Sequence, residues 1–221
     1  MNFPDQLFPA IWTLLGNALF VAVMVAVLRL APWQRLKDAS TLNVWLGAIV
    51  TLTLVWSLKA GVQPGLNLHL LGATTLTLMF GRSLAMAALT VVLAAVCVNT
   101  GHGWQNFGLT ALVSIVFPVL VTEAVRKAVD KYLPANFFIY VFVAAFFGAA
   151  ITTVGTGCLS TLLFWLAGIY PLEKLLDDYL PYYLLLGFAE AWLNGAMITM
   201  MVVYMPHWVV SFDDRHYLWR K

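Results

Sequence analysis

Four side chains and one chain end in this sequence are candidates for chemistry: His69, Cys97, His102, Glu190 and the α-amine of Met1. A neutral imidazole such as His69 is a common ligand for Ni, Cu and Zn. Cys97 would favour a softer ion, Cu(I) or Zn, and His102 follows it in the loop at 99–106. A free α-amine is a further nitrogen donor. Glu190 stands alone in apolar sequence, so it must be protonated, hydrogen-bonded or beside a bound cation. Each has an ordinary reading too. His69 could bond a backbone carbonyl or Asn67, Cys97 and His102 could be packing and loop residues, and Glu190 could bridge helices through Asn194, Ser or Thr. Cys158 reads as core filler, and two cysteines at different depths indicate no disulfide framework.

The elements that must position these groups are membrane helices. Hydrophobic residues make up 62% of the 221 positions and charged ones 10%, and the uncharged runs are long enough for a hydrocarbon core of about 30 Å. Runs bounded by charge, Pro and Gly give seven spans, at 8–29, 42–58, 66–80, 83–99, 107–125, 137–168 and 182–205. The expected fold is an all-α polytopic bundle of seven transmembrane helices forming one integral membrane domain, 1–221, in the plasma (inner) membrane.

Ten of the 12 Lys and Arg residues fall in alternate gaps: Arg29, Arg35, Lys37, Arg82, Arg126, Lys127, Lys131, Arg215, Arg220 and Lys221. Lys59 and Lys174 occupy the other side, the latter beside Glu173, Asp177 and Asp178. The positive-inside rule puts the amino terminus outside and the carboxyl terminus in the cytoplasm. Span 6 would be about 50 Å long at 1.5 Å per residue. Splitting it near Gly155 and Gly157 reverses the charge bias, so one long, tilted or locally broken helix is preferred.

Span 3 is short, about 22 Å for its residues 66–80. Its outer end must start below the surface, with Gly61, Pro64 and Gly65 dipping inward, and His69 falls one turn into the helix. Irregular backbone at such depth is tolerable only where it is buried in protein or lines a wet cavity. No Lys or Arg precedes span 1, which is longer than a signal-peptide core, so the amino terminus is read as retained. Pro4, Phe8 and Pro9 suggest a stiff, membrane-apposed start. Glu123 has Arg126 three and Lys127 four residues on, an ordinary surface pair. Trp45, Trp56, Trp104, Trp192 and Trp208 are expected as interface anchors.

Met1-Asn2-Phe3-Pro4-Asp5 resembles the Met-His-Ile-Pro-Asp opening of the CbiM/NikM family, the substrate-binding membrane subunits of cobalt and nickel energy-coupling-factor transporters. Leu68-His69-Leu70-Leu71-Gly72, followed by Phe80-Gly81, is similar to that family's His-Leu-x-Gly segment and its closing Leu-Gly. Glu190-Ala191, followed by Gly195, resembles the Glu-Ala segment of its last helix. The resemblance implies a square-planar site built from the terminal amine, the deprotonated backbone nitrogen of residue 2, the imidazole of residue 2 and a second imidazole corresponding to His69. Such nitrogen donors suit Ni(II), Cu(II) and some Co(II). Residue 2 here is Asn, which leaves Met1, Asn2 through its backbone and His69 as donors, and the fourth must come from elsewhere. Gln6 also replaces the family's usual Gly.

The expected function is metal capture from the outer side, with cobalt or nickel as the transported ion, Cu or Zn also open, and no tightly bound cofactor. The chain has no phosphate-binding loop, so active transport needs other subunits. The resemblance implies an energy-coupling transmembrane subunit and ATPase subunits. Ala18, Ala22 and Ala26 form a small-residue stripe that packs within the protein or docks a coupling subunit. Membrane lipid is the remaining partner, and no nucleic acid is implied. A cation-coupled carrier or channel relaying through Glu190, and a non-transporting scaffold, are the competing readings. An enzyme fits least: there is no nucleophile with a paired base and no H-E-x-x-H pair.

Overall fold

The computed structural model describes residues 3–58, 60–61, 66–213 and 217. Met1, Asn2, Pro64, Gly65, Lys59, Arg215, Arg220 and Lys221 lie outside the described residues. Helices dominate: α1 (Ala10–Leu30), α2 (Ala39–Ser57), α3 (Ala73–Phe80), α4 (Arg82–Thr100), α5 (Phe107–Tyr132), α6 (Phe137–Leu166), α7 (Leu172–Asp178) and α8 (Leu180–Tyr204). Among the described residues, six stretches are long and apolar enough to cross a membrane, namely α1, α2, α4, α5, α6 and α7 with α8. This is a helical, multi-pass membrane protein.

Span 3 differs from expectation. Only Ala73–Phe80 is helical, while residues 66–72 are non-helical and Asn67–Leu68 pairs antiparallel with Ala60–Gly61. His69 therefore precedes the helix instead of sitting one turn inside it. All eight residues of α3 are buried, and the helix packs against α4, α5, α6 and α8. Of the non-helical backbone leading into it, Leu66, His69 and Leu71 are buried in protein, the setting in which such backbone is tolerated.

Span 6 is one helix of 30 residues, Phe137–Leu166, in keeping with the unsplit reading. Its turns widen to π geometry over Tyr140–Phe147. A second π segment, Leu112–Val116, lies in α5. Pro118 follows it and has no N–H for the Ser114 carbonyl; wider turns just before a proline relieve that loss and the ring's crowding.

Inside the bundle, hydroxyls link three helices. Thr74 of α3 lies 3.1 Å from Thr122 of α5, which lies 3.2 Å from Thr152 of α6, oxygen to oxygen. Down α6, Thr156 and Ser160 donate to the carbonyls of Thr152 and Thr156, each at 2.8 Å. These polar groups satisfy themselves against the helix backbone.

Several side chains face otherwise than the sequence suggests. Trp45 and Trp56 are buried, not interfacial, because α2 turns a stripe that includes Ile49 toward α4. The Trp45 indole donates to the Leu84 carbonyl at 3.2 Å. Trp104 and Trp192 are exposed, as anchors should be. Cys158 is exposed rather than core, since the buried face of α6 is set by Thr152, Thr156 and Ser160. Glu123 pairs with Lys127 at 3.1 Å and Arg126 at 3.7 Å.

Candidate metal centre

The amino-terminal segment is stitched to the loop before α5. Asp5 accepts from the N–H groups of Gly103 at 3.0 Å and Gln105 at 2.9 Å. Asn106 donates to the Pro4 carbonyl at 2.6 Å and accepts from the Thr13 hydroxyl at 2.8 Å. The Phe3 N–H reaches the Thr110 hydroxyl at 3.2 Å. Close helix approach makes this possible: a Cβ on Gly108 would meet the Asn17 Cα at 2.5 Å.

Phe3 is fully buried, with its ring 5.1 Å from Phe8 and 5.4 Å from Phe164, centroid to centroid. Leu66 belongs to the same apolar cluster, and Leu68 packs against it. The chain start and the strand that carries His69 thus share one core. The proline-rich opening is more than membrane-apposed; it is inserted.

Gln6 holds a left-handed backbone, φ +64°. That conformation costs a side-chain-bearing residue about 1–2 kcal/mol and glycine little. Its N–H is kept by the Gln105 side chain at 2.7 Å, so the turn survives the absence of glycine. Gln6→Gly is expected to raise stability by roughly 0.5–1 kcal/mol after glycine's extra unfolded-state entropy is counted. Thermal unfolding of the purified pair checks this, and a lower midpoint for the glycine variant contradicts it.

His69 is buried, with its ring centroid 4.5 Å from that of Trp56. Nδ1 lies 3.0 Å from the Leu70 carbonyl oxygen. A carbonyl can only accept, so Nδ1 carries the proton and Nε2 keeps its lone pair, the tautomer a metal requires. The backbone-carbonyl bond anticipated for a structural His is present, and it also leaves a coordinating nitrogen available.

The peptide two residues on is gripped from both sides. The Leu71 carbonyl accepts from the Trp56 indole of α2 at 3.2 Å. Its N–H donates to Glu190 of α8, and the Gly72 N–H reaches the same Oε1 at 3.2 Å. Oε2 accepts from the Asn194 amide at 2.6 Å. The Asn194 carbonyl in turn accepts from the Thr75 N–H at 2.9 Å. Glu190 is therefore hydrogen-bonded and bridges helices through Asn194 and Thr75. Gly72 is left-handed, φ +64°, and a Cβ there would lie 2.6 Å from the Leu52 side chain, so this turn requires glycine.

The remaining candidates lie apart from this arrangement. Cys97 is fully buried in the main apolar core, and His102 is exposed in its loop. No group of three or more His, Cys, Asp or Glu side chains forms a metal cluster among the described residues, and Met1 and Asn2 fall outside them. Sequence reading missed Trp56, Thr75 and Asp5 as positioning residues. The Trp56 to Leu71 spacing held no signal, whereas the Pro-Asp pair of the opening did mark the stitched turn. Ala18, Ala22 and Ala26 are all exposed, so among the described residues the stripe has no packing partner.

Two solved structures share the fold. One, a transition metal transporter, is 17% identical, with a TM-score of 0.71 over 94% of this chain and 96% of that chain. The other, a truncated transition metal transporter, is 17% identical, with a TM-score of 0.73 over 92% of this chain and 99% of that chain. No curated protein matches the sequence. The family model for the cobalt uptake substrate-specific transmembrane region, CbiM, matches residues 2–208. A match over nearly the whole chain, on a helical transporter fold, makes this protein a membrane component of metal uptake and a member of the CbiM family.

Proposed function

We propose that the chain captures a divalent transition metal, cobalt or nickel first, from the outer side, and that partner subunits drive its release inward. Ligands are the α-amine of Met1, the backbone nitrogen of Asn2 and Nε2 of His69. The observation that carries this reading is the insertion of Phe3 into the cluster that holds Leu66, which brings the chain start to the strand bearing a correctly protonated His69. The short helix α3 counts as the seventh crossing, completed by the extended strand, with the amino terminus outside. Lacking a nucleotide site, the chain works with an energy-coupling transmembrane subunit and ATPase subunits, and the exposed alanine stripe on α1 is available to the former.

Glu190 is a positioning residue here. Both of its oxygens already accept hydrogen bonds, which argues against the carrier reading that needs it as a relay. Four strong nitrogen donors would suit Ni(II) or Cu(II) best; with three, Co(II) and Zn(II) compete more evenly. The test is binding stoichiometry of Ni(II), Co(II), Cu(II) and Zn(II) on the purified full chain with its native amino terminus. One tightly bound ion per chain is expected, lost in His69→Ala. Unchanged stoichiometry in that variant refutes the site.

A further inference from the structure

Between α2 and α8 runs a groove of about 720 Å³ whose floor is α3. Its α2 wall includes Gly47, Ala48 and Thr51, and its α8 wall includes Leu193, Met197 and Met201. Along α2 it extends from Asn43 to Val55, roughly 18 Å at 1.5 Å per residue. Half of a hydrocarbon core of about 30 Å is about 15 Å, so the groove matches the reach of one leaflet's acyl chains. Apart from Glu190 and Asn194, which are engaged with the His69 strand, the lining is overwhelmingly apolar.

A second cavity of about 320 Å³ continues this groove, sharing Val44, Met79 and Trp208 with it. Here the lining turns polar, with Arg35, Asp38, Thr41 and His207. Asp38 is engaged as the cap of α2, accepting from the Thr41 N–H and hydroxyl at 2.8 Å each. Arg35 is exposed and makes no ion pair among the described residues. At the seam, the indole N–H of Trp208 is buried with no acceptor among the described residues. A buried donor of this kind is free to take an acceptor from a bound ligand.

We propose that this groove and its polar mouth form a binding site for an anionic phospholipid of the leaflet on the Arg35 side. An acyl chain lies along the Gly47 wall, and the phosphate is held by Arg35 with the Trp208 N–H within reach of the headgroup. Apolar length, a leaflet-matched span, an unpaired cation and an orphan donor at one end describe an amphipathic anion better than they describe an apolar helix. Arg suits a phosphate because its fork presents several donors at once. The site is independent of the metal assignment.

The test uses the purified full chain, titrated in detergent with phosphatidylglycerol or phosphatidylcholine of identical chains, with retained lipid counted by native mass spectrometry. One phosphatidylglycerol is expected to stay bound at concentrations where phosphatidylcholine does not. Arg35→Ala should weaken retention about fivefold. Gly47→Phe should abolish it, and a Cβ at Gly47 meets nothing within 4 Å, so that variant fills the groove without disturbing the helix. Unchanged melting temperature in both variants serves as the folding control. Equal retention of the two lipids, or full retention in Gly47→Phe, overturns the proposal and leaves the groove to a helix of another subunit.

Discussion

Glu190→Ala is expected to destabilise the protein by roughly 3–5 kcal/mol and to weaken metal binding with it. The change strands the Leu71 and Gly72 N–H groups and removes one of the two acceptors of the Asn194 amide, which keeps the backbone carbonyl of residue 190. Each lost acceptor costs about 1–3 kcal/mol in a buried site. Total stabilities of about 5–15 kcal/mol make that a large fraction. Glu190→Gln alone should fall between, because its amide nitrogen would face the Asn194 amide nitrogen, donor against donor. Pairing it with Asn194→Asp restores an acceptor opposite that donor and should recover most of the loss. Chemical or thermal unfolding of the four proteins in detergent reads this directly. Were the double variant no better than Glu190→Ala, the bridging role assigned to this carboxyl would be wrong.

The second large effect lies at the chain start. Asn2→His is expected to raise Ni(II) or Co(II) affinity by two orders of magnitude or more, about 2.7 kcal/mol. An amide side chain is a poor ligand for these ions, and an imidazole supplies the missing fourth donor of a planar set. Residue 2 is one peptide from Phe3, whose ring and N–H are both fixed in the core. Combined with His69→Ala, the gain should vanish. Competition titrations against a chelator decide it. No gain would mean that the pocket completes its coordination with a different donor.

Most of the architecture was legible because long uncharged runs broken by Arg, Lys and Pro leave helices few places to start and stop. The runs at 83–99 and 8–29 became Arg82–Thr100 and Ala10–Leu30, shifted by a residue or two. The site was less legible. Leu66 to Phe80 reads as a run without Lys, Arg, Asp or Glu, yet its first half is non-helical, because its backbone partners are Trp56 and Glu190. These lie 15 and 119 residues away from Leu71, and no local pattern announces them. The same distance hid the burial of Trp45 and Trp56, whose indoles an apolar sequence invites one to place at the interface. Gln6 went the other way: its departure from glycine suggested an altered loop, and side-chain bonding from Gln105 holds the left-handed turn regardless.

The double grip on Leu71 makes that single residue a tie-beam between α2 and α8. One end is bolted to Trp56 and the other to Glu190, with His69 mounted two residues from the beam. The groove between those two helices is therefore sprung by the same strand that carries the imidazole. Any force that spreads or closes the pair must snap one bolt or shift His69, so mechanical load on the membrane-facing side of the protein arrives at the proposed ligand as displacement.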